Sequence, residues 1–362
     1  MIGIRGVIAF FICMAWLSSS HAADWNNPAN RYEEAYRAYS DAKCPISDDG
    51  ISHFVYFTRD RRRMRKHDFL DNERFSGAQI MYSWRQLEKV EGRYDFSDIR
   101  SDLNYLKAHG KTLFIQLQDV SFSSKYKAVP NYILSSDYDY GALPSKANGK
   151  TIGWIAKRWN PKVRARYGAL LEALGEEFDG EIAGINLQET AIEVSKDADP
   201  TFSEAVYAEA IKDNMRNLKS AFPNTTTMQY ANFMPGEWLP WTNKGYLKGI
   251  YETGQEIGVG LGAPDLMYKR RGQLNHPIAM MHEGEFSVPL GIAVQDGNYV
   301  GSTGADEHFE GRKDEGIETN SAVPLLHAFA KDFLKVDYMF WADQKPYFQK
   351  LVLPCFSEKP IK

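Results

Sequence analysis

The feature that most constrains this chain is an alternation. Eight short runs rich in β-branched or aromatic residues recur along it: His53–Phe57, Ala78–Tyr82, Thr112–Leu117, Ile182–Leu187, Thr226–Tyr230, Gly258–Leu261, Leu290–Val294 and Val336–Trp341. Longer segments with apolar residues near helical spacing lie between them, at Ser97–His109, Lys162–Phe178, Phe202–Phe222, Leu247–Glu256 and Ser321–Phe333. Strands that alternate with helices pair in parallel, because each helix carries the chain back to the same end of the sheet. Eight such units in a chain of 362 residues predict an α/β fold, a single (β/α)8 TIM barrel. The Tyr-, Ser-, Gly- and Pro-rich stretch Val120–Asn160 is too long for an ordinary connection and is expected to be an insertion after strand 3, lying over the site.

The N-terminus has its own logic. Arg5, the apolar run Val7–Leu17 and the small, polar stretch Ser18–Ala23 follow the order of a secretory signal peptide. The expectation is cleavage near Ala22, a mature barrel over residues 23–362, and a periplasmic or secreted product without a stable membrane anchor, since the apolar run is too short to span a bilayer. Cys13 leaves with the signal. An oxidising compartment permits Cys44 and Cys355 to pair, and spacing alone leaves a disulfide and two separate thiols both open.

Net charge is −4, with one short basic run from Arg59 to Lys66 that reads as a solvated loop. This disfavours nucleic acid as a partner, because phosphate binding needs a clustered basic surface. Oligomeric state is not legible. His282-Glu283 lacks the second His of a zinc-hydrolase helix, Asp137–Gly141 lacks the rest of a calcium loop, and Gly260 with Gly262 makes no dinucleotide fingerprint. No cofactor and no metal are expected.

In a barrel of this kind chemistry sits where strands end and the following loops begin. Those ends carry Tyr56, Thr58 and Arg59; Tyr82 and Trp84; Gln116, Gln118 and Asp119; Asn186, Gln188 and Glu189; Gln229, Tyr230 and Asn232; Pro264 and Asp265; Gln295, Asp296 and Asn298; and Trp341 with Asp343. Amides, carboxylates and aromatic rings are the groups that hold sugar hydroxyls and stack on pyranose faces. An oligo- or polysaccharide is therefore the expected partner, with Trp238 and Trp241 as further stacking candidates and about half of the tryptophans expected in the core.

Two stretches resemble the clan A glycoside hydrolases. Tyr82-Ser83-Trp84-Arg85-Gln86-Leu87-Glu88-Lys89-Val90-Glu91-Gly92-Arg93-Tyr94-Asp95-Phe96-Ser97 is similar to the clan's Trp, Leu-Glu, Glu-Gly-x-Tyr-Asp-Phe-Ser pattern. Trp159-Asn160-Pro161 leads through a helix to Gly184-Ile185-Asn186-Leu187-Gln188-Glu189, where the clan's fourth strand ends in Asn-Glu. The resemblance implies glycosidic-bond hydrolysis by two carboxyl groups, with Glu189 as acid/base and Trp341 at the floor of a sugar subsite. At the seventh strand, where the clan has a nucleophilic Glu, this chain has Gln295-Asp296. Asp296 is the first expectation for the second carboxylate, then Asp265, then Glu283 or Glu285 should the strand be shifted, with retention of configuration favoured. Tyr82, Trp84, Gln116, Gln118, Asp119, Asn186, Gln188, Gln229, Tyr230, Asp265, Gln295 and Trp341 are the expected substrate-binding set. The missing Glu also admits a barrel that binds sugar without cleaving it, or a polysaccharide-export scaffold.

Overall fold

The computed structural model describes residues 32–147, 149–194, 196–303 and 319–357; the expected signal peptide lies outside them. Eight parallel strands close a barrel: β1 (Ser52–Tyr56), β2 (Phe75–Ser83), β3 (Thr112–Gln118), β4 (Gly184–Leu187), β5 (Thr226–Tyr230), β6 (Gly260–Ala263), β7 (Leu290–Val294) and β8 (Tyr338–Ala342). Each pairs with its sequence neighbours, and β1 closes on β8 with Phe54 opposite Phe340. The (β/α)8 expectation holds.

Helices α1 (Ser97–Ala108), α2 (Pro161–Phe178), α3 (Glu204–Ala221), α4 (Tyr246–Ile257) and α5 (Thr319–Ala328) lie between strands. Their starts are chemically marked. Asn160 accepts from the amides of Lys162 and Val163 while Pro161 takes the first turn, and Ser203 accepts from Val206; each cap satisfies an amide that the helix leaves unpaired. Several boundaries differ from expectation, among them the starts of β2 (Phe75 rather than Ala78), β4 (Gly184 rather than Ile182) and β8 (Tyr338 rather than Val336), and two have a local cause. The sixth strand begins at Gly260 rather than Gly258, because Gly258 adopts φ +77° and terminates α4. The last helix ends at Ala328 and continues as a wider turn over Phe329–Phe333. Among the described residues no helix is long and apolar enough to cross a membrane.

Alternation along the strands decides what fills the barrel. Phe54, Phe114, Tyr338 and Phe340 meet inside it, with ring centroids 4.9 Å apart for Phe114–Phe340 and 5.5 Å for Phe54–Phe114. Gly184 makes room for them: a Cβ there would stand 2.3 Å from the Phe114 ring. This aromatic plug seals the lower barrel and leaves the end from which the βα loops emerge for polar groups.

The expected insertion folds as a small antiparallel sheet, Val120–Ser121 against Lys150–Ala156 against Ala142–Ala147. It leans over the mouth, with Ala128 accepting from the Arg85 amide and the Tyr126 hydroxyl bonded to Ser83.

The resemblance motif after β2 is a brace. Buried Glu88 accepts from Trp84 Nε1 at 2.7 Å and from the Gly92 amide at 2.7 Å, and pairs with Arg166 on α2. Cys44 and Cys355 form a disulfide, Cα–Cα 4.8 Å, across a sequence separation of 311. Beside it Asp49 faces both His53 and His327, and the three present ligand atoms within 4.8 Å of one another. The hydrogen bonds argue against a cation. Trp341 Nε1 donates to His53 Nδ1 at 3.1 Å, so the proton of that ring lies on Nε2 and points at Asp49. The lone pair that a metal needs is already used.

Removing the disulfide should cost about 2–5 kcal/mol, because it closes nearly the whole chain into a loop. The expected result is a lower thermal midpoint for Cys44→Ser and for reduced wild type alike, measured by circular dichroism.

Candidate active site

Glu189 follows β4 at the barrel mouth, partly buried, and its surroundings hold it from several sides. Its carbonyl accepts from Arg158 Nη1 at 2.8 Å, and the next amide, Thr190, donates to the Tyr230 carbonyl at 3.1 Å. Its carboxylate accepts from Asn232 Nδ2 at 2.6 Å. The orientation of that amide is dictated by its other end, since Asn232 Oδ1 accepts from the backbone of Ala191 and Phe233.

Burial pushes the Glu189 carboxyl up, to about 7, and the charge of Asp265 pushes the same way; the Asn232 bond and Arg158 oppose them. A carboxyl group kept protonated near neutrality by burial and a neighbouring carboxylate is poised as a general acid.

Asp265 follows β6 and is positioned by Asn298 Nδ2, which donates to Oδ1 at 2.9 Å and also to the Ser302 carbonyl. Tyr230, in the lumen, also feels Asp265. The carboxylate electrostatically coupled to Glu189 is thus Asp265.

Asp296 shares Tyr56 with Glu189 as a neighbour but is not among the groups that shift Glu189. It occupies an exposed tight turn in which Asn298 closes back on Gln295 and Gly297 adopts φ +93°. Partial desolvation raises its pKa, Arg63 opposes this, and Asp343 adds to it. Glu283 and Glu285 lie before β7, at the opposite end of the barrel from the mouth, and β7 spans Leu290–Val294 as expected, so the condition for invoking them is not met.

Strand alternation sorts the expected binding residues. Asn186, Gln79 and Tyr230 form a buried lumenal network in which Gln79 Nε2 donates to Asn186 Oδ1 at 2.9 Å and to the Tyr230 hydroxyl at 3.2 Å. Gln79 and Gln116 each keep a buried carbonyl oxygen without a partner among the described residues, the kind of acceptor a sugar hydroxyl or water satisfies. Gln118 accepts from Arg59 Nη1 at 2.8 Å, and that guanidinium lies 4.5 Å from the centre of the Tyr126 ring. Thr58, before it, has φ +52°, a costly conformation for a β-branched residue that marks the turn bringing Arg59 over the mouth.

Several expected ligands are instead committed elsewhere. Tyr82 points outward and donates to Asp102 on α1 at 2.8 Å. Trp84 and Trp341 are both 0% exposed, the first bonded to Glu88 and packed on Tyr167, the second bonded to His53. Asp119 is held in a bidentate pair with Arg158, at 2.6 and 2.7 Å. Gln188 Oε1 accepts from the Asp119 and Val120 amides, and Gln229 Nε2 donates to the carbonyls of Gln188 and Tyr230. These residues shape the site from behind. Two residues outside the expected set prove central. Arg158 gives no sequence signal, since it lies inside the insertion, whereas Gln79 is signalled by its odd-numbered parity with Met81 and Ser83 along β2.

The loop after β5 presents aromatic surface at the same end of the barrel. Trp238 is 50% and Trp241 41% exposed. Trp238 stacks on Phe233 at 5.8 Å and 8°, and Arg271 lies over Trp241. Buried Glu237 anchors the loop by accepting from the amides of Lys244, Tyr246 and Leu247 at the start of α4.

No protein-family model matches the sequence, and no curated protein matches it significantly. Among solved structures, the catalytic domain of a β-amylase from Paenibacillus polymyxa superposes with a TM-score of 0.53 at 10% identity, covering 83% of this chain and 93% of that one. Endo-glycoceramidase II from Rhodococcus sp., solved as a lactosyl-enzyme intermediate, gives 0.50 at 11% identity over 83% and 76%. The shared feature is the barrel fold. These structural neighbours are clan A glycoside hydrolases, and the likeness at such identity is one of architecture.

Glu189 makes stability depend on pH. Its folded pKa of about 7 lies above its ordinary 4.5, so between those values the folded state binds a proton that the unfolded state has lost. Its contribution is complete below pH 4.5, falls through that window and is gone above 7. Glu189→Gln should therefore unfold at higher temperature than wild type at pH 8, by a margin of order 2 kcal/mol, and match it near pH 4, as read by calorimetry.

Proposed function

We propose that this protein is a glycoside hydrolase acting on an oligo- or polysaccharide, with Glu189 as acid/base and Asp265 as the second carboxylate. The observation that carries this reading is the pairing of a carboxyl group titrating near 7 with a neighbouring carboxylate at the C-terminal end of a (β/α)8 barrel. Two carboxyl groups flanking a glycosidic bond are what its cleavage requires. Protonated Glu189 donates to the leaving oxygen, and Asp265, aligned by Asn298, attacks the anomeric carbon. Glu189, then ionised, takes a proton from a water that attacks the anomeric carbon; the bond to Asp265 breaks, the carboxylate and the free sugar are released, and both residues return to their starting states. Asp265 is preferred to Asp296 because its charge acts directly on Glu189, whereas Asp296 faces Arg63 and Asp343.

Arg158 acts through position: paired with Asp119, it holds the Glu189 backbone and tempers the rise of its pKa. Gln79, Gln116 and Arg59 supply polar groups to the sugar, and Trp238 with Trp241 supplies stacking faces beyond the reacting bond. Export to an oxidising compartment fits the same reading, supported by the disulfide and the N-terminal pattern.

Reducing-end release from a panel of bacterial and plant polysaccharides tests the assignment. Glu189→Gln and Asp265→Asn should each lower the rate at least about 1,000-fold with binding retained, and Asp296→Asn by less than about tenfold. Wild-type binding without release would instead favour a sugar-binding barrel. In an active enzyme the alkaline limb of the pH profile should move up in Asn232→Ala, which loses a hydrogen bond to the ionised form, and should not move down. Proton NMR of the first-formed anomer should show retention, the outcome of direct attack by Asp265.

A further inference from the structure

The basic run Arg59–Lys66 divides in the fold. Arg61 and Arg65 turn to α1, where both pair with Asp102 and Arg61 also pairs with Asp98. Arg63 and Lys66 turn the other way. With His67 and Asp68 they form one wall of a cleft of about 460 Å³, and Lys345, Pro346, Gln349 and Lys350 form the other. The first wall belongs to the connection after β1 and the second to the connection after β8. Those strands are adjacent and parallel, so the cleft opens at the same end of the barrel as Glu189.

Charge in this cleft is one-sided in a protein whose net charge is −4. Arg63, Lys66, Lys345 and Lys350 face a single lining carboxylate, Asp68. Behind them, buried Asp343 pairs with Arg63 Nε at 2.6 Å and faces His67 Nε2 at 3.3 Å, which offsets Arg63 and anchors it. The three lysines form no ion pair among the described residues. Arg63 Nη2 is shielded from solvent and donates to no described group. That nitrogen is as closed to a ligand as to water, so an oxyanion in the cleft is met by the ammonium groups of Lys66, Lys345 and Lys350.

We infer that this cleft is an anion subsite and that the glycan acted on at Glu189 is acidic, carrying carboxylate or sulfate groups. The inference rests on the hydrolase reading for the identity of the polymer, and on the cleft alone for the anion. Strands β1 and β8 lie across the barrel from β4 and β5. A chain that stacks on Trp238 and Trp241 after β5, passes Glu189 after β4 and crosses the mouth reaches the cleft, where a charged sugar several units away is held. Asp296, after β7, lies within electrostatic range of Arg63 and disfavours an anion placed beside it.

Two measurements test this, both on the whole protein and on the surface variant Lys345→Gln/Lys350→Gln. In the first, thermal midpoints are compared in sodium sulfate and sodium chloride at matched ionic strength. Sulfate also stabilises folded proteins nonspecifically, so the expected result is a larger increment in wild type than in the variant, and equal increments overturn the anion subsite. In the second, calorimetric titration compares oligogalacturonate and sulfated oligosaccharide with the methyl ester of the former. At least one acidic form should bind about tenfold tighter than the neutral ester, with the advantage lost in the variant and at high salt; whichever it is names the anion. Equal affinities, or an advantage that survives in the variant, overturn it. The two readings fail separately: charge-selective binding without bond cleavage removes the hydrolase, and cleavage without charge preference removes the anion subsite.

Discussion

Closure of the parallel barrel is the constraint on which everything else depends. Once β1 pairs with β8, each strand has an inside and an outside, and a side chain's role follows from its parity. Phe54, Phe114 and Phe340 fill the inside and exclude water from the lower barrel. Gln79 and Asn186 continue the inside upward, and burial makes each a hydrogen-bond partner of the other. Residues of the other parity face outward: Tyr82 ties β2 to Asp102 on α1, and Trp341 ties β8 to His53 on β1.

The mouth is then tuned by groups that never need to touch a ligand. The Arg158–Asp119 pair is buried, and it is held bidentately with further bonds to the Tyr207 hydroxyl and the Glu189 carbonyl. Such a pair offsets its desolvation only when its geometry is well satisfied. Here it fixes the backbone beside a carboxyl group whose own burial is unfavourable to its charge. That combination, a rigid support under a partly buried acid, lets the fold hold a carboxyl group in an otherwise unfavourable ionisation state.

Much of this was legible. The strand runs located all eight barrel strands, and the resemblance around Glu189 pointed to the residue whose titration is most displaced among the acids of the mouth. Position at a strand end does not by itself separate a ligand from a structural side chain. Trp84, Trp341, Tyr82, Gln188, Gln229 and Asp119 have the chemistry of sugar ligands, yet alternation and buried partners commit them to structure. Glu88 and Gly92 show why the specific motif after β2 is informative about fold: the carboxylate braces a tryptophan, a turn and a helix.

By itself the sequence determined the alternation, the long insertion and the position of Glu189, because these depend on local periodicity and on the lengths of the segments between strands. Tertiary structure alone decided the rest. It joined Cys44 to Cys355, set Asp265 rather than Asp296 against Glu189, brought Arg158 from the insertion to the fourth strand, and split one basic run between a helix and a cleft. Each of these couples residues far apart in the chain, and the electrostatic and steric terms that govern them depend on distances that exist only after the barrel has closed.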